Sequence, residues 1–433
     1  MSIYETRRQT FMEKMQPDSV AIFKSAPEFA LSPGMELPYR QNSEFYYLTG
    51  LEEPDSICVL APNHKEHHFV LFVHPRDPAA ETWTGKRTGT EGAISDYGAD
   101  IAYTIEEVDE KLPQYLRGMS TLYYNNGCSE TFDVELIEQL KRYRNVLWNS
   151  IKSLVNPSVI LDEMRLIKDA HELDLMRKAA AISAEAHIEA MKAVHPGMHE
   201  YELQAVIEYV FRKHGSRRNA YESIIGSGPN GTIMHYNENS RRIENSDVVM
   251  IDAGAEYDYY AADISRSFPA NGHFTAEQRA IYEIVLEAEE KAIEAVQPGK
   301  TLEDIHNVTV EVITKGLMRL GILQGEYDKI IEEKTYTQFY MHSASHWLGL
   351  DVHDRGPYVV KGKWREFAPG MVLTIEPGIY ITEHVEGVDP KYWNIGIRIE
   401  DDVVVTEQGC EVLTTGVPKS VADVEALTNH VGA

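Results

Sequence analysis

Five side chains of the types that bind divalent metal ions lie far apart along the second half of the 433-residue chain. Carboxylate oxygens and imidazole nitrogens are ligands for hard and borderline divalent cations. Two such cations, roughly 3.5–4 Å apart and joined by shared carboxylates, lower the pKa of a water molecule and polarise the bond to be cleaved. The residue types therefore predict a two-metal hydrolytic site at Asp252, Asp263, His346, Glu376 and Glu400.

The first two acids belong to a segment, residues 250–268, that is typical of a β-hairpin. If Tyr257 and Asp258 form a two-residue turn, Asp252 and Asp263 lie directly opposite each other, with Cβ atoms about 5 Å apart. Buried carboxylates at that separation repel each other, and a divalent cation between them turns the repulsion into binding. For this pair alone, the alternative is two exposed acids on a solvated hairpin face.

Three histidines fall within twelve residues of the largely apolar run 341–354. Imidazole is a common metal ligand and a common general acid or base, so three together favour a site over a set of core residues. The pattern does not tell which of His342, His346 and His353 binds metal and which donates a proton.

The remaining candidates stand at strand-like segments. Glu376 follows the apolar run 372–375, and alternation along 395–400 places Arg398 and Glu400 on one face of a predicted strand. An ordinary surface ion pair is the alternative for Arg398 and Glu400.

The elements that position these residues occur twice in the chain. Residues 182–197 and 284–299 match at eight of sixteen positions, and both end in Ala-Val-x-Pro-Gly. Residues 248–254 and 372–378 each contain an apolar run, a carboxylate, one further residue and a glycine. Two similar halves that face each other would bring the acids of these two segments, Asp252 and Glu376, to a common cleft.

A different pattern precedes the repeat. Short apolar runs at 20–23, 57–60 and 69–73 alternate with helical stretches such as 132–143, which predicts an α/β domain. Apolar residues at spacings of three and four then predict a long helix over 168–194. We therefore expect an N-terminal α/β domain at 1–160 and a catalytic domain at 161–433.

Composition limits the partners and the location. With 41 Lys and Arg against 68 Asp and Glu, the net charge is −27, which argues against nucleic acid or anionic membranes as partners. No stretch has the apolar length of a signal peptide or a membrane span. Cys58, Cys128 and Cys410 form no disulfide or zinc pattern, so we expect a cytoplasmic protein.

At this point the order of the five ligand candidates resembles that of the pita-bread metallopeptidases, and within them the aminopeptidase P group. His235 in IMHYNEN and the run SHWLGLDVHD at 345–354 are similar to motifs of that group, and 39–55, YRQNSEFYYLTGLEEPD, is similar to its N-terminal domain. The resemblance implies an α/β (α+β) chain: a pita-bread domain with a pseudo-twofold repeat after a smaller ribonuclease-H-like domain.

The resemblance also implies the cofactor and the reaction. The cofactor is two divalent ions, with manganese preferred and cobalt or zinc as alternatives. The substrate is a peptide with proline in second place, cleaved before proline by a metal-bridging hydroxide while Glu376 moves the proton to the leaving nitrogen. The ligand roles are Asp252 on one metal, His346 and Glu376 on the other, and Asp263 and Glu400 on both.

Further roles follow from the same resemblance. His353 and His235 hydrogen-bond the substrate carbonyl and the tetrahedral intermediate, and His342 lines the leaving-group side. Arg398 orients the acids or pairs with them. Tyr221 lines the cleft, with simple packing as its alternative.

Several functions and one feature of assembly stay open on the sequence. Prolidase, which cleaves only Xaa-Pro dipeptides, is the nearest alternative; a non-catalytic scaffold of the same fold and a dinuclear phosphoesterase are weaker ones. The resemblance implies a homodimer or homotetramer in which one subunit's N-terminal domain approaches another's cleft. Trp83 is expected either in such a contact or in ordinary core packing.

Overall fold

The structure, a computed structural model, describes residues 2–127, 129–143 and 151–429. Cys128 therefore lies outside the described residues, whereas Cys58 and Cys410 are free thiols. The chain divides into two compact units, Met1–Met164 and Arg165–Ala433. This division falls four residues after the end of the N-terminal domain expected from the sequence.

Helices and strands alternate in the first unit. Its helices are α1 (Ile3–Lys14), α2 (Ser43–Thr49), α3 (Pro78–Thr84), α4 (Gly89–Ser95), α5 (Val108–Leu116), α6 (Glu130–Tyr143) and α7 (Ser158–Leu166), the last of which spans the division. Its strands are β1 (Ser19–Lys24), β2 (Ala30–Ser32), β3 (Met35–Glu36), β4 (Ile57–Leu60), β5 (Phe69–Val73), β6 (Ile101–Thr104), β7 (Thr121–Tyr124) and β8 (Ser153–Val155).

Within the described part of the first unit, six strands form a mixed sheet in the order β6-β5-β4-β1-β7-β8. The central strands are short apolar runs buried on both faces, as in sheets covered on both sides. The predicted apolar runs are confirmed as β1, β4 and β5, and the predicted helix as α6. Core packing is excluded for Trp83, which lies in α3 with 87% of its surface exposed.

The second unit has longer helices and several small sheets. The helices are α8 (Ala170–Ala193), α9 (Glu200–Lys213), α10 (Ala276–Ala295), α11 (Leu302–Arg319), α12 (Tyr327–Glu332) and α13 (Val421–Thr428). The strands are β9 (Arg218–Asn219), β10 (Ile224–Ser227), β11 (Val248–Asp252), β12 (Ala255–Tyr257), β13 (Tyr260–Ala261), β14 (Ser265–Pro269), β15 (Val359–Val360), β16 (Lys363–Trp364), β17 (Val372–Ile375), β18 (Gly378–Ile381), β19 (Ile395–Arg398), β20 (Asp401–Val405) and β21 (Cys410–Val412).

The two halves of this unit correspond to the sequence repeat. Helix α8 packs on α9 in the first half, and α10 packs on α11 in the second. Each half also contains a three-stranded arrangement among its described residues, β10-β11-β14 or β17-β20-β21. The repeated sequences form the C-terminal parts of α8 and α10, whose C-caps are Val194 and Val296. Asp252 ends β11, and Glu376 directly follows β17.

The predicted turn of the hairpin at 250–268 is wrong. Asp258 and Tyr259 form it, both with positive φ, and Tyr257 belongs to the preceding strand. Turns with two positive φ values match the twist of the flanking strands. The segment lacks the Asn-Gly or Asp-Gly pair that usually marks such a turn, so its sequence leaves the register open.

The hairpin register changes how the two aspartates are related. Asp252 lies opposite Ser265, so Asp263 is the diagonal rather than the direct cross-strand neighbour of Asp252 on the same face. Between the paired segments the backbones approach so closely that a Cβ on Gly254 would lie 1.8 Å from the carbonyl oxygen of Ala262. Only glycine fits there.

The main core of the second unit lies between its helices and these sheets. The predicted buried face of α8 is confirmed, since Leu175, Ala179, Ile182, Ala186 and Ala190 are all buried. No helix among the described residues combines the length and apolar character that crossing a membrane requires.

Candidate active site

A cavity of about 530 Å³ in the second unit contains the predicted site residues. All ten line it: Tyr221, His235, Asp252, Asp263, His342, His346, His353, Glu376, Arg398 and Glu400. They come from segments that are far apart in the sequence, so folding alone makes them neighbours.

Backbone hydrogen bonds hold the acid-bearing segments side by side. Ser265, which lies opposite Asp252, accepts the backbone N–H of Glu400 at 3.0 Å. The Ser265 hydroxyl in turn donates to Oε2 of Glu400 at 2.7 Å. The N–H of Glu376 donates to the carbonyl of Ala344 at 2.9 Å, which ties β17 to the histidine-rich run. The acids are therefore fixed by main-chain contacts.

Three of the predicted ligands form a compact cluster. One ligand atom each from Asp263, His346 and Glu400 lies within 4.8 Å of the other two. Nε2 of His346 is 3.4 Å from Oδ2 of Asp263 and 3.8 Å from Oε1 of Glu376. A single cation placed among these atoms would contact several of them at once.

Tyr221 connects the two aspartates. Its hydroxyl lies 2.6 Å from Oδ1 of Asp252 and 2.5 Å from Oδ1 of Asp263. The hydroxyl has one proton, so it donates to one carboxylate at a time. The diagonal arrangement in the hairpin thus still brings both acids to one point, and simple packing does not describe Tyr221.

The carboxyl groups of the cavity are strongly perturbed. Burial raises the pKa of Glu376 to about 7, although His346 and Arg398 oppose the rise. Burial, together with the charges of Asp263 and Glu376, raises the pKa of Glu400 well above its usual range. Carboxylates packed this closely favour the binding of cations.

The ring of His346 is oriented for metal binding. Its Nδ1 lies 3.0 Å from the carbonyl oxygen of Trp347, which can only accept, so Nδ1 carries a proton and Nε2 faces the acids. Burial lowers the pKa of His346, but the hydrogen bond and charge of Asp263, with Glu376, outweigh it and raise the pKa to about 9. The raised pKa describes a second proton, on Nε2, and a metal at Nε2 would take the place of that second proton.

The donor set fits two divalent cations. Four largely buried carboxylates and one imidazole converge, and Arg398 is the one guanidinium among the described lining residues. The excess of negative charge, the oxygen-rich ligands and the outward-facing Nε2 of His346 match hard or borderline metal ions. Asp252, Asp263, His346, Glu376 and Glu400 are the residues that could hold them.

A chain of hydrogen bonds runs from Arg398 to His342. Arg398 donates through Nη2 to Asp252 at 2.5 Å and through Nη1 to the Tyr380 hydroxyl at 3.0 Å. The Tyr380 hydroxyl lies 2.9 Å from Nε2 of His342, whose Nδ1 donates to the carbonyl of Ser343 at 2.8 Å. Burial and the charge of Arg398 lower the pKa of His342 to about 4, so this ring is neutral and accepts from Tyr380.

Sequence reasoning missed Tyr380. In β18 the isoleucines point away from the site, while Gly378 pairs with Arg398 and Tyr380 pairs with Gly396. The run Gly-Ile-Tyr-Ile, which begins two residues after Glu376, could have shown this, because alternation places the tyrosine on the face opposite the isoleucines.

The other two histidines line the cavity less deeply. The His353 ring stands edge-on to the His346 ring, with centroids 4.5 Å apart. Burial, with the nearby His346, lowers the pKa of His353. His235 is exposed to solvent at the cavity wall. Within the part of the chain that the structure describes, neither ring forms a hydrogen bond or ion pair with a carboxylate, so both remain available to a substrate.

Comparison with known proteins gives the family. The model of metallopeptidase family M24 matches residues 174–407, more than half of the chain. The chain is 43% identical to the Xaa-Pro aminopeptidase of Escherichia coli, across 98% of this chain and 97% of that protein. The chain belongs to the aminopeptidase P group of metallopeptidase family M24.

The N-terminal unit and the solved structures agree with this. The model of the aminopeptidase P N-terminal domain matches residues 4–149. An aminopeptidase from Pseudomonas aeruginosa is similar at a TM-score of 0.96 and 47% identity, covering 98% of this chain and 97% of that one. Zinc-substituted E. coli aminopeptidase P in complex with product is similar at a TM-score of 0.95 and 42% identity, covering 99% of this chain and 98% of that one. The predicted pita-bread fold class and the predicted enzyme class, a metallopeptidase of the Xaa-Pro aminopeptidase type, are confirmed.

Proposed function

We propose that this enzyme hydrolyses the bond between an N-terminal residue and a following proline with the help of two divalent metal ions. The observation that carries the proposal is the convergence of four carboxylates and the His346 imidazole in one cavity. Membership of the aminopeptidase P group supports the choice of substrate.

The proposed metal ligands follow the roles implied by the family, and all five residues line the cavity. Asp252 would hold one ion, His346 and Glu376 would hold the other, and Asp263 and Glu400 would contribute to both. When bound, the two cations lower the pKa of a water molecule and polarise the substrate carbonyl. Manganese is the preferred ion in this proposal, with cobalt or zinc as alternatives, because carboxylate oxygens outnumber the single nitrogen donor.

The side chains around the metals take part in binding and proton transfer. Glu376 accepts the proton of the attacking water and passes it to the proline nitrogen, which lacks an N–H and must be protonated to leave. His353 and His235 donate hydrogen bonds to the substrate carbonyl and to the negative charge that develops on its oxygen. His342, kept neutral by burial and the charge of Arg398 and oriented by the Tyr380 hydroxyl, lines the leaving-group side.

Arg398 and Tyr221 position the acids. Arg398 contacts Asp252 directly and reaches Glu400 through the Ser265 hydroxyl, to which its Nε donates at 2.8 Å. Tyr221 touches both aspartates. These contacts fix the carboxylate orientations that a metal site needs.

The test uses matched peptides on the chelated and metal-reloaded enzyme. We expect Ala-Pro-Ala to be cleaved after manganese is added back, Ala-Ala-Ala to be left intact, and EDTA to abolish cleavage. Cleavage of the dipeptide Ala-Pro alone would indicate prolidase activity instead. A chain that binds no metal by elemental analysis and cleaves neither peptide would be a scaffold of the same fold.

Location and assembly belong to the same proposal. The free thiols Cys58 and Cys410 support a cytoplasmic location. We also propose a homodimer or homotetramer with Trp83 at a contact, since 87% of its surface is exposed in the single chain. Light scattering of the wild type and of Trp83→Ala checks the assembly, and a monomeric wild type would contradict it.

A further inference from the structure

One carboxylate in the cavity wall stands apart from the proposed metal ligands. Glu222 lines the cavity and directly follows Tyr221, whose hydroxyl touches Asp252 and Asp263. The Nδ2 of Asn237, which also lines the cavity, donates to Oε2 of Glu222. The carboxylate is therefore held beside the site, although its side chain is exposed to solvent.

The charge of Glu222 has no cationic partner in the described part of the chain. The guanidinium of Arg398, which lines the same cavity, is 2.5 Å from Asp252. Arg398 and the proposed metal ions would all contact other acids, so among the described residues Glu222 has no cation in direct contact, and its negative charge faces the space where substrate binds.

Part of the cavity that Glu222 lines is apolar. Ile224, Met234 and Val352 line the same cavity, and Ile224 is almost fully buried. Arginine and lysine carry their charge at the end of a long aliphatic stem that packs well on apolar side chains. A cavity that combines these apolar side chains with the Glu222 carboxylate matches such a side chain better than it matches a short or an acidic one.

We propose that Glu222 is a specificity-determining residue that favours peptides with arginine or lysine before proline. The proposal rests on the proposed Xaa-Pro cleavage and adds the class of N-terminal residue. The carboxylate contacts the cationic head of that residue, and Asn237 keeps it turned towards the cavity.

The test compares kcat/KM for Arg-Pro-Ala, Gln-Pro-Ala and Glu-Pro-Ala with manganese-loaded enzyme. A solvent-exposed ion pair contributes a modest free energy, so we expect the wild type to prefer Arg-Pro-Ala over Gln-Pro-Ala by about threefold to fivefold. In Glu222→Gln, which keeps an amide oxygen for Asn237, the ratio should fall to about one, and relative cleavage of Glu-Pro-Ala should rise. The wild-type preference should also shrink in 1 M salt.

Glu238→Gln is the matched control, because Glu238 is an exposed acid next to Asn237 that does not line the cavity. It should retain the wild-type preference. An unchanged preference in Glu222→Gln, or a wild type that does not favour arginine, would overturn the role of Glu222 while leaving Xaa-Pro cleavage intact. Failure to cleave any of the three peptides would overturn the proposed function, and this inference with it.

Discussion

Two clusters of buried charge in the second unit are built in opposite ways. The Arg165 cluster consists of Arg165, Lys168, Asp351 and Asp354: Nη2 of Arg165 is 2.6 Å from Asp351 and also contacts Asp354, and Nζ of Lys168 is 2.8 Å from Asp354. Two cations there face two acids. The metal-site cluster consists of Asp252, Asp263, His346, Glu376, Arg398 and Glu400, where acids outnumber cations.

The difference is visible in how burial acts on a carboxyl group. Burial by itself raises the pKa of Asp354, but the charges of Arg165 and Lys168 outweigh it and lower that pKa. Glu400 is equally buried, and there burial and the charges of Asp263 and Glu376 act in the same direction and raise its pKa well above its usual range. A buried charge with its counter-charge present can be part of a fold and is costly to break, whereas buried acids without enough counter-charge are typical of a site that binds cations.

The largest expected effect is on the metal-site cluster. Asp263→Ala or Glu400→Ala should lower kcat/KM on Ala-Pro-Ala by at least about a thousandfold and remove bound metal, because each acid is proposed to hold both ions. His353→Ala should lower turnover by about a hundredfold with metal retained. Kinetics and elemental analysis of the same preparations check this, and activity that survives in Asp263→Ala would refute the shared-ligand role.

The next largest effect is on the stability of the Arg165 cluster. Asp354→Ala leaves Arg165 and Lys168 buried without their common partner, so we expect the free energy of unfolding to fall by about 3–5 kcal/mol in urea titrations. Asp351→Ala is the control, and it should cost less because a third of the Asp351 side chain is exposed. Equal losses from the two substitutions would contradict the comparison.

The sequence predicts that the residues of the metal-site cluster meet in one cleft, as they do in the cavity, but it does not predict the Arg165 cluster. Acids after apolar strands and several histidines in one run are unusual enough to identify as a site. Asp354 looks like any surface acid in SHWLGLDVHD, and Arg165 lies almost 190 positions away from it. Nothing local indicates that they meet, because ion pairs of this kind depend on the tertiary fold alone.

The helices and strands were predictable where one face is apolar and the period is clear, as in α8 and β4. The hairpin after Met250 was not, because a one-residue change of turn keeps the apolar pattern almost intact while it changes which residues are opposite. Tyr380 was missed for a related reason: its role depends on Arg398, which lies on the adjacent strand opposite Gly378, two residues before Tyr380.

A third prediction concerns His187, a buried histidine whose pKa is lowered mainly by burial rather than by neighbouring charges. His187 on α8 is fully buried; its Nε2 donates to the carbonyl of Ala253 at 2.9 Å, and burial lowers its pKa to about 4. Between pH 6.5 and 4 the unfolded chain binds a proton at this ring and the folded chain does not. Stability should therefore fall by about 3 kcal/mol as the pH falls through this window.

Urea titrations in EDTA at several pH values check this for the wild type and His187→Gln, in which the slope between pH 6.5 and 4 should be flatter. His171→Gln is the matched control, since His171 lies exposed on the same helix. Its slope should equal that of the wild type. A His187→Gln slope as steep as the wild type's would assign the acid sensitivity to the carboxylates instead.

The smallest expected effect has a sign that depends on metal, and it tests the idea of uncompensated charge most directly. Glu400→Gln removes one negative charge from the metal-site cluster and keeps an oxygen that accepts from Ser265. In EDTA we expect the variant to be more stable than the wild type by about 1–2 kcal/mol, because repulsion from Asp263 and Glu376 is relieved. With saturating manganese the order should reverse, because only the wild type keeps the shared ligand.

Asp354→Asn in the Arg165 cluster is the control. It should be destabilising both in EDTA and with manganese, because Arg165 and Lys168 lose their common negative partner in both conditions. If Glu400→Gln lowered stability in EDTA as well, the acids of the metal-site cluster would be compensated within the protein, and the contrast between the two clusters would fail.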